Sequence, residues 1–288
     1  PSHPPQPGRY VFDVAEVSGR GSAGSVTLIL QTLLIPLALA DGASSLLLRG
    51  GTHVEWSPPF DDLVCSYLPA LRRIGLQVDA ELKCFGWFPV GRGEIVCDIA
   101  GRPAAHGATR PVPIGMTERG PLRRISGRAI AANLPEHIPQ RLANRARAGL
   151  ASLGVALEIE ASNVTAACPG AGIFLLAEYQ EWPASFSAYG RPGHPSEAVA
   201  ERVVARLREH HLSQAAIELH LADQLLLPLA IAATPSTFTT STPTGHLTTN
   251  AWTIGRFGVA DITIAEGPPC RVRIDPLDWQ RRRRDDPT

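Results

Sequence analysis

The spacing of apolar residues predicts alternating strands and helices in the first part of the chain. Arg9 to Val14 alternates in polarity and is rich in β-forming residues, which predicts a strand. A buried apolar helix is predicted from Ser25, and a second strand from Ser44 to Arg49. A stripe of apolar residues at helical spacing then predicts a helix packed on a sheet: Phe60, Leu63, Val64, Tyr67, Leu68 and Leu71. Leu76 to Phe85 and Glu94 to Ile99 predict an antiparallel pair.

A different order of elements follows in the middle of the chain. Leu122 to Ala132 predicts a strand, and the next helix is predicted to start at Pro139 and to end at Gly154. Ser196 is predicted to cap a long helix. Between these helices the pattern predicts further strands: Val155 to Glu160, Gly172 to Glu178 and Ser185 to Tyr189. The β-α-β-β-β-α order differs from that of the first part of the chain, which indicates a second α/β unit.

The last part of the chain predicts a return to the larger fold. An amphipathic helix from Leu221 to about Ala233 precedes a short Thr-rich strand, a Pro-Thr-Gly turn and a helix opened by His246. Strand–helix–strand–strand units therefore recur, which predicts a layered α/β (α+β) fold. We predict a core formed by residues 1–120 and 216–277, an inserted domain at 121–215 and a charged tail at 278–288.

Composition narrows the class of protein. The chain has 288 residues, 44% of them hydrophobic and 19% charged, and its formal net charge is zero, so any nucleic-acid contact must come from a local patch. The five cysteines are scattered without zinc-ligand spacing, which favours reduced thiols and a cytoplasmic protein. The apolar run from Val26 to Ala40 is too short to span a bilayer and contains Gln31 and Pro36, which predicts no membrane partner.

The candidate chemistry centres on His246. It follows a glycine turn and opens a helix, where free backbone N–H groups and the positive end of the helix dipole favour an anionic phosphate. A neutral imidazole at this point is a candidate nucleophile toward phosphorus. The alternative is that His246 only fills a cap or bonds a backbone carbonyl.

Other motifs leave alternatives open. Gly19 to Gly24 fits the pattern G-x-G-x-x-G. The segment is either a dinucleotide-binding fingerprint or a flexible turn that leads into the helix. Asp61 and Asp62 are candidates for acid–base or metal chemistry, or dipole partners in a first helical turn. Trp56 either stacks on a base or covers the sheet end. Two arginine groups indicate an RNA-facing patch or a solvated face: Arg141, Arg145 and Arg147, and Arg281 to Arg284.

Several stretches together resemble the RNA 3'-terminal phosphate cyclase family. They are ADQLLLPLA at Ala222 to Ala230, PTGHLTTNA at Pro243 to Ala251, GSAGS and LQT between Gly21 and Thr32, and GGTHVEWSPPFDD at Gly50 to Asp62. The resemblance implies repeated strand–helix–strand units with a smaller inserted α/β domain. It covers Arg9 to Pro276.

The resemblance also implies an activity. Members of the family are ATP-dependent ligases that convert an RNA 3'-terminal phosphate into a 2',3'-cyclic phosphate through a histidine–AMP intermediate. His246 is then the catalytic histidine, Mg²⁺ or another divalent cation accompanies ATP, and the RNA 3' end is the macromolecular partner. The residues implied to bind the nucleotide are Gln31, Pro89, Phe186, His220, Asp223 and Gln224. The alternative for Phe186 is a core residue of its strand, and the alternative for Gln31 is a polar residue that caps the inner end of a core helix. An aspartate near His246, here Asp223, is expected to orient the imidazole, unless it caps the helix.

This chain departs from the family pattern at named positions. Phe85 stands where arginine is usual, Arg92 replaces the middle glycine of a glycine triplet, and His220 replaces tyrosine. The family's E-G-G-G-Q-x-L-R segment has no match, so we expect an N-terminally shortened chain. Either another chain or a homodimer contact covers its apolar face, or the sequence is an incomplete product, and catalysis is expected to be impaired if this segment is truly absent. A non-catalytic RNA-binding or ribosome-assembly relative of the same fold is the alternative function.

Overall fold

We describe the chain from a computed structural model, over residues 5–18, 22–101, 114–232 and 234–277. In this part of the chain the strands form three sheets. Gly19 to Gly21, and with them half of the G-x-G-x-x-G match, lie outside the described residues, as does the charged tail. The predicted domain boundaries therefore stay predictions, although the sheets follow a similar division.

The first sheet is built from the N-terminal part of the chain. Its strands are β1 (Arg9–Asp13), β2 (Ser44–Gly50), β3 (Val78–Cys84) and β4 (Gly93–Ile99). Their order is β1-β2-β4-β3, with β1 parallel to β2 and the other neighbours antiparallel. Alternate residues of β2 and β4 are buried, as period-2 side-chain direction requires. The predicted strands are confirmed here, including the antiparallel pair.

Helices cover this sheet. They are α1 (Val14–Ser18), α2 (Val26–Ala38), α3 (Phe60–Asp62) and α4 (Leu68–Arg73). The Ser25 side chain caps α2 by accepting from the Leu28 N–H. The predicted single helix from Phe60 is instead interrupted by a π-helical turn at Leu63–Tyr67, between α3 and α4. Pro69 has no N–H to donate to the carbonyl four residues earlier, which gives a physical reason for the wider turn.

The second sheet combines the C-terminal part of the chain with one short earlier strand. Its strands are β5 (Ile114–Met116), β10 (Ser236–Thr240), β11 (Ala260–Ala265) and β12 (Cys270–Pro276), in the order β11-β12-β10-β5. The helices on it are α7 (Leu219–Ile231) and α8 (Gly245–Arg256). Leu30, Leu46, Leu225, Phe238 and Val272 belong to one apolar cluster, so both sheets share a hydrophobic core.

The third sheet comes from the middle of the chain and has its own core. Its strands are β6 (Leu122–Ala132), β7 (Ala156–Val164), β8 (Gly170–Tyr179) and β9 (Ala184–Tyr189), in the order β7-β6-β8-β9. The helices α5 (His137–Leu150), with a 3₁₀ turn at Ala151–Leu153, and α6 (Ser196–Ser213) pack on it. The predicted order of elements is confirmed, but α6 has Pro195 rather than Ser196 at its N-cap.

Arginines of α5 pair with carboxylates of α6. Arg141 bonds Glu197 with two nitrogens, and Arg145 pairs with Glu201. Arg147 instead donates to Asn144 and to the backbone of Ile159. These partners favour the solvated-face interpretation of this arginine group over an RNA-facing patch.

Arg119 joins the third sheet to the shared core. It is buried, and it donates to the backbone oxygens of His210, His211 and Ala215 at the end of α6. Its guanidinium lies over the Tyr179 ring, 4.2 Å from the ring centroid. The last carbonyl groups of α6 thereby find donors that the helix cannot supply.

We expect acid to destabilise the fold through His210. Its buried ring packs against Tyr179 and Phe186, and neither ring nitrogen has a hydrogen-bond partner among the described residues. Burial, with the Arg119 charge, lowers the pKa of His210 to about 4. Because the unfolded chain binds the proton more readily, the free energy of unfolding should fall by about 3 kcal/mol as pH falls from about 6.5 to about 4.

Urea unfolding at stepped pH values measures this effect. In His210→Leu the free energy of unfolding should lose most of its pH dependence in that range. In His137→Leu, a change at an exposed position, it should keep that dependence. An equal pH slope in His210→Leu and the wild type would contradict the assignment.

None of the described helices combines the length and apolar character that crossing a lipid bilayer requires. All five cysteines are free.

Candidate active site

A cleft of about 630 Å³ lies where helices of the shared core meet the third sheet. It collects residues from α2, α7 and α8, together with β9, α6 and the loop before α3. Its volume lies in the range of about 300 to 1,000 Å³ that is usual for small-molecule sites. The structure brings to this cleft most of the residues that were predicted from the sequence: Gln31, His220, Asp223, Gln224 and His246.

His246 enters the cleft from the first turn of α8. The Thr244 side chain caps this helix by accepting from the Leu247 N–H, at 3.0 Å. In the described part of the chain, no acceptor is found for the N–H groups of Gly245 and His246, as is normal for a first turn. The exposed imidazole therefore lies beside free donors and the positive end of a helix, an arrangement that suits a phosphate.

Asp223 and Gln224 reach the cleft from one turn inside α7. Gln31 of α2 donates to Gln224, with 2.9 Å between Nε2 and Oε1. Burial raises the pKa of Asp223, and the nearby charge of His246 opposes this shift. Asp223 accepts a 3.5 Å contact from Asn250, but no hydrogen bond joins Asp223 to His246 among the described residues. The predicted orienting contact is therefore absent from this structure.

Glu218, rather than Asp223, caps α7. Its carboxylate accepts from the His220 and Leu221 N–H groups at 2.8 and 3.1 Å. Its other oxygen lies 2.8 Å from Nδ1 of His220, and Arg206 lies 3.0 Å from the same nitrogen. Burial alone would raise the pKa of Glu218, but the contacts with His220 and Arg206 outweigh it and lower the pKa. Asp223 therefore does not cap this helix, which was the structural alternative that the sequence left open.

Two predicted nucleotide contacts lie outside the cleft. Phe186 is 1% exposed and belongs to the core of the third sheet, because alternate residues of β9 point to opposite faces. Its neighbours Ser185 and Ser187 line the cleft instead. Pro89 is exposed in the loop before β4 and does not line the cleft, whereas Pro58 does. The expected contacts of Phe186 and Pro89 with a nucleotide therefore have no support in this geometry.

The glycine-rich loop before β4 approaches backbone closely, but away from the cleft. Gly91 has a φ of +71°, and a Cβ there would meet the Ser22 carbonyl oxygen at 2.5 Å. Arg92 has a φ of +54° and an exposed side chain, and it is not among the cleft residues. Phe85, which stands where arginine is usual in the family, packs on His53, with 5.1 Å between the ring centroids.

The adjacent carboxylates Asp61 and Asp62 have separate surroundings, which the sequence did not indicate. Asp61 is buried between His53 and Arg128, with contacts of 2.8 and 2.6 Å. Asp62 lines the cleft and accepts from the Ser187 hydroxyl at 3.1 Å. Consecutive residues of a helix point about 100° apart, which explains the division.

Trp56 also lies at the cleft. Its side chain is 93% exposed, and its φ of +63° is unusual for a large residue. Beside it, Glu55 accepts two hydrogen bonds from Arg191 of the opposite wall. No group of three or more His, Cys, Asp or Glu side chains in the described residues could hold a metal ion.

Comparison with known proteins places this chain in a family. The model of the RNA 3'-terminal phosphate cyclase family matches residues 1–264. An RNA 3'-terminal phosphate cyclase of Methylococcus capsulatus is 48% identical over 276 residues, which are 95% of this chain and 75% of the relative. The corresponding proteins of Gloeothece citriformis and Trichormus variabilis are 43% and 45% identical, over 92% and 89% of this chain and 74% and 72% of theirs.

The chain belongs to the RNA 3'-terminal phosphate cyclase family. The predicted family and fold class are confirmed, and the names of the relatives support the predicted enzyme class.

Proposed function

We propose that this chain converts an RNA 3'-terminal phosphate into a 2',3'-cyclic phosphate, using ATP and a covalent histidine–AMP intermediate. The observation that supports the proposal most is the place of His246. It lies in the first turn of α8 and in the same cleft as Gln31, Asp223 and Gln224. A nucleophile, phosphate-binding backbone donors and hydrogen-bonding side chains are therefore next to one another.

His246 begins the proposed reaction. The neutral imidazole attacks the α-phosphorus of ATP, a P–N bond forms, and pyrophosphate leaves with the electrons of the broken P–O bond. A 3'-phosphate oxygen of the RNA then attacks the same phosphorus, and the imidazole leaves. Finally the adjacent 2'-OH attacks the RNA phosphate, loses its proton and expels AMP. The last step is intramolecular, so proximity lowers its barrier.

The cleft residues have separate tasks in this proposal. The N–H groups of Gly245 and His246 and the positive end of α8 stabilise charge on the phosphate. Asp223 lies near the imidazole, where the charge of His246 opposes the rise in the pKa of Asp223 that burial causes. Gln31 and Gln224 hold one another at 2.9 Å while facing the cleft. Mg²⁺ or another divalent cation would arrive with the nucleotide phosphates, which is its usual mode of binding, since the described side chains form no metal cage.

Labelling with α-³²P-ATP tests the proposal directly. We expect the label to remain on the protein after denaturation, which indicates a covalent bond. When an RNA oligonucleotide that ends in a 3'-phosphate is added to the folded, labelled protein, the label should be released and the cyclic product should form. An RNA with a 3'-hydroxyl should release none. An oligonucleotide with a 3'-phosphate and a terminal 2'-deoxyribose should accept AMP but form no ring. A folded protein that takes up no label would favour the non-catalytic RNA-binding alternative.

A further inference from the structure

Asp62 occupies a position in the cleft that the proposed reaction leaves unused. Its carboxyl group lies on the cleft wall formed by α3, β9, α6 and the start of α7. Ser187 donates to its Oδ2, and no partner for Oδ1 is found among the described residues. One oxygen is thus held in place, and the other is open to a ligand.

The groups around Asp62 form a connected polar wall. Arg206 donates to the Ser187 carbonyl at 3.2 Å and contacts His220 at 3.0 Å, and His220 contacts Glu218 at 2.8 Å. This chain of hydrogen bonds leads from Asp62 to α7, which carries Asp223 and Gln224 toward His246. A nucleotide whose phosphate lies at His246 would therefore have this polar wall available for its base.

We propose that Asp62 recognises the base of the nucleotide as a neutral carboxylic acid, donating to N1 of adenine and accepting from its 6-amino group. The inference rests on the proposed function. A protonated carboxyl group has one donor and remaining acceptor capacity, which matches the acceptor N1 and the donor amino group of adenine. A carboxylate has acceptors only and matches guanine, whose N1–H and 2-amino groups both donate.

The electrostatics keep a substantial fraction of Asp62 neutral near neutral pH. Burial, with the charges of Asp61 and Glu218, raises the pKa of Asp62 to about 7, while Ser187 and Arg206 oppose the shift. Cys65 on the same helical segment and Tyr189 on β9 also interact with this group. His220 faces it from α7 within the same cleft.

Equilibrium binding of α,β-methylene-ATP and α,β-methylene-GTP, measured by calorimetry at pH 6 and pH 8, tests the proposal without turnover. For the wild type, ATP-analogue affinity should fall about tenfold at pH 8, because only about a tenth of Asp62 is then neutral. Because the carboxylate form matches guanine, GTP-analogue affinity should rise about tenfold over the same range, so the preference for the ATP analogue should shrink about a hundredfold. Asp62→Asn presents a donor and an acceptor at every pH, so it should keep tight ATP-analogue binding at pH 8.

The Asn variant also serves as a control, because it keeps His246, His220 and the phosphates of the ligand. Any pH dependence that it loses relative to the wild type is therefore due to Asp62. Asp62→Ala should lose the preference between the purines at both pH values. The affinity for the ATP analogue could instead depend on pH in the same way in the wild type and in Asp62→Asn, with both proteins folded by circular dichroism. That result would overturn the role of Asp62 and leave the proposed function standing. Absence of nucleotide binding at either pH would overturn both.

Discussion

His246→Ala is expected to reduce covalent labelling by α-³²P-ATP by at least about a thousandfold, since the variant has no group to form the bond to phosphorus. The side chain is exposed, and the cap of α8 depends on Thr244 and Leu247 rather than on the imidazole. The variant should therefore fold with an unchanged melting temperature. It should also still bind α,β-methylene-ATP, because Gln31, Asp223 and Gln224 remain.

Two further histidine variants make the result specific. His137→Ala changes an exposed residue of α5 outside the cleft, so it should be labelled like the wild type. His220→Ala removes a cleft histidine that is already held by Glu218 and Arg206, and it should reduce labelling without abolishing it. Label that persists in His246→Ala and disappears in His220→Ala would assign the nucleophile to the other imidazole.

Elements with strong local signals were predictable from the sequence. Strand β6 was predicted with its observed bounds, because turn-forming residues mark both of its ends, Gly120 and Pro121 before it and Asn133 and Pro135 after it. Helix α8 begins within one residue of the predicted start, because Thr244 is a good cap and Gly245 follows a turn. Strands β11 and β12 were not predicted, although β12 alternates buried and exposed residues from Cys270 to Ile274.

The site was predictable only in part, because its walls come from distant segments. Motifs near His246 and Gln31 identified five residues that meet in one cleft. The resemblance implied that Phe186 borders the nucleotide, whereas its ring lies in the core of the third sheet and the flanking serines lie on the opposite face of β9. From the sequence, Asp61 and Asp62 had the same candidate roles. Their surroundings differ because β9, α6 and α7 pack against that helix in three dimensions, which the sequence does not show.

Asp61→Ala is expected to lower the free energy of unfolding by about 3 to 5 kcal/mol, the usual cost of removing one member of a buried ionic group. The carboxylate lies 2.8 Å from Nε2 of His53 and 2.6 Å from Nε of Arg128, a residue of β6. Thr52 contacts the other ring nitrogen of His53 at 2.7 Å. The variant therefore leaves a buried imidazole and a partly buried guanidinium without their shared acceptor.

Urea unfolding at pH 7 measures this loss, with Asp98→Ala as the matched control. Asp98 is exposed on β4, so its removal should change stability by less than about 0.5 kcal/mol. Burial would raise the pKa of Asp61, but His53 and Arg128 outweigh it and lower the pKa to about 2. The carboxylate therefore stabilises the fold above about pH 4, its ordinary range, and loses this effect as pH falls toward about 2.

The stability difference between the wild type and Asp61→Ala should accordingly narrow as acid is added below about pH 4. A difference that stays constant in acid, or one no larger than that of Asp98→Ala, would contradict this account. Because Asp61 joins the helix that carries Asp62 to β6 of the third sheet, the same substitution should also loosen one wall of the cleft. Weaker binding of α,β-methylene-ATP by folded Asp61→Ala is the expected consequence.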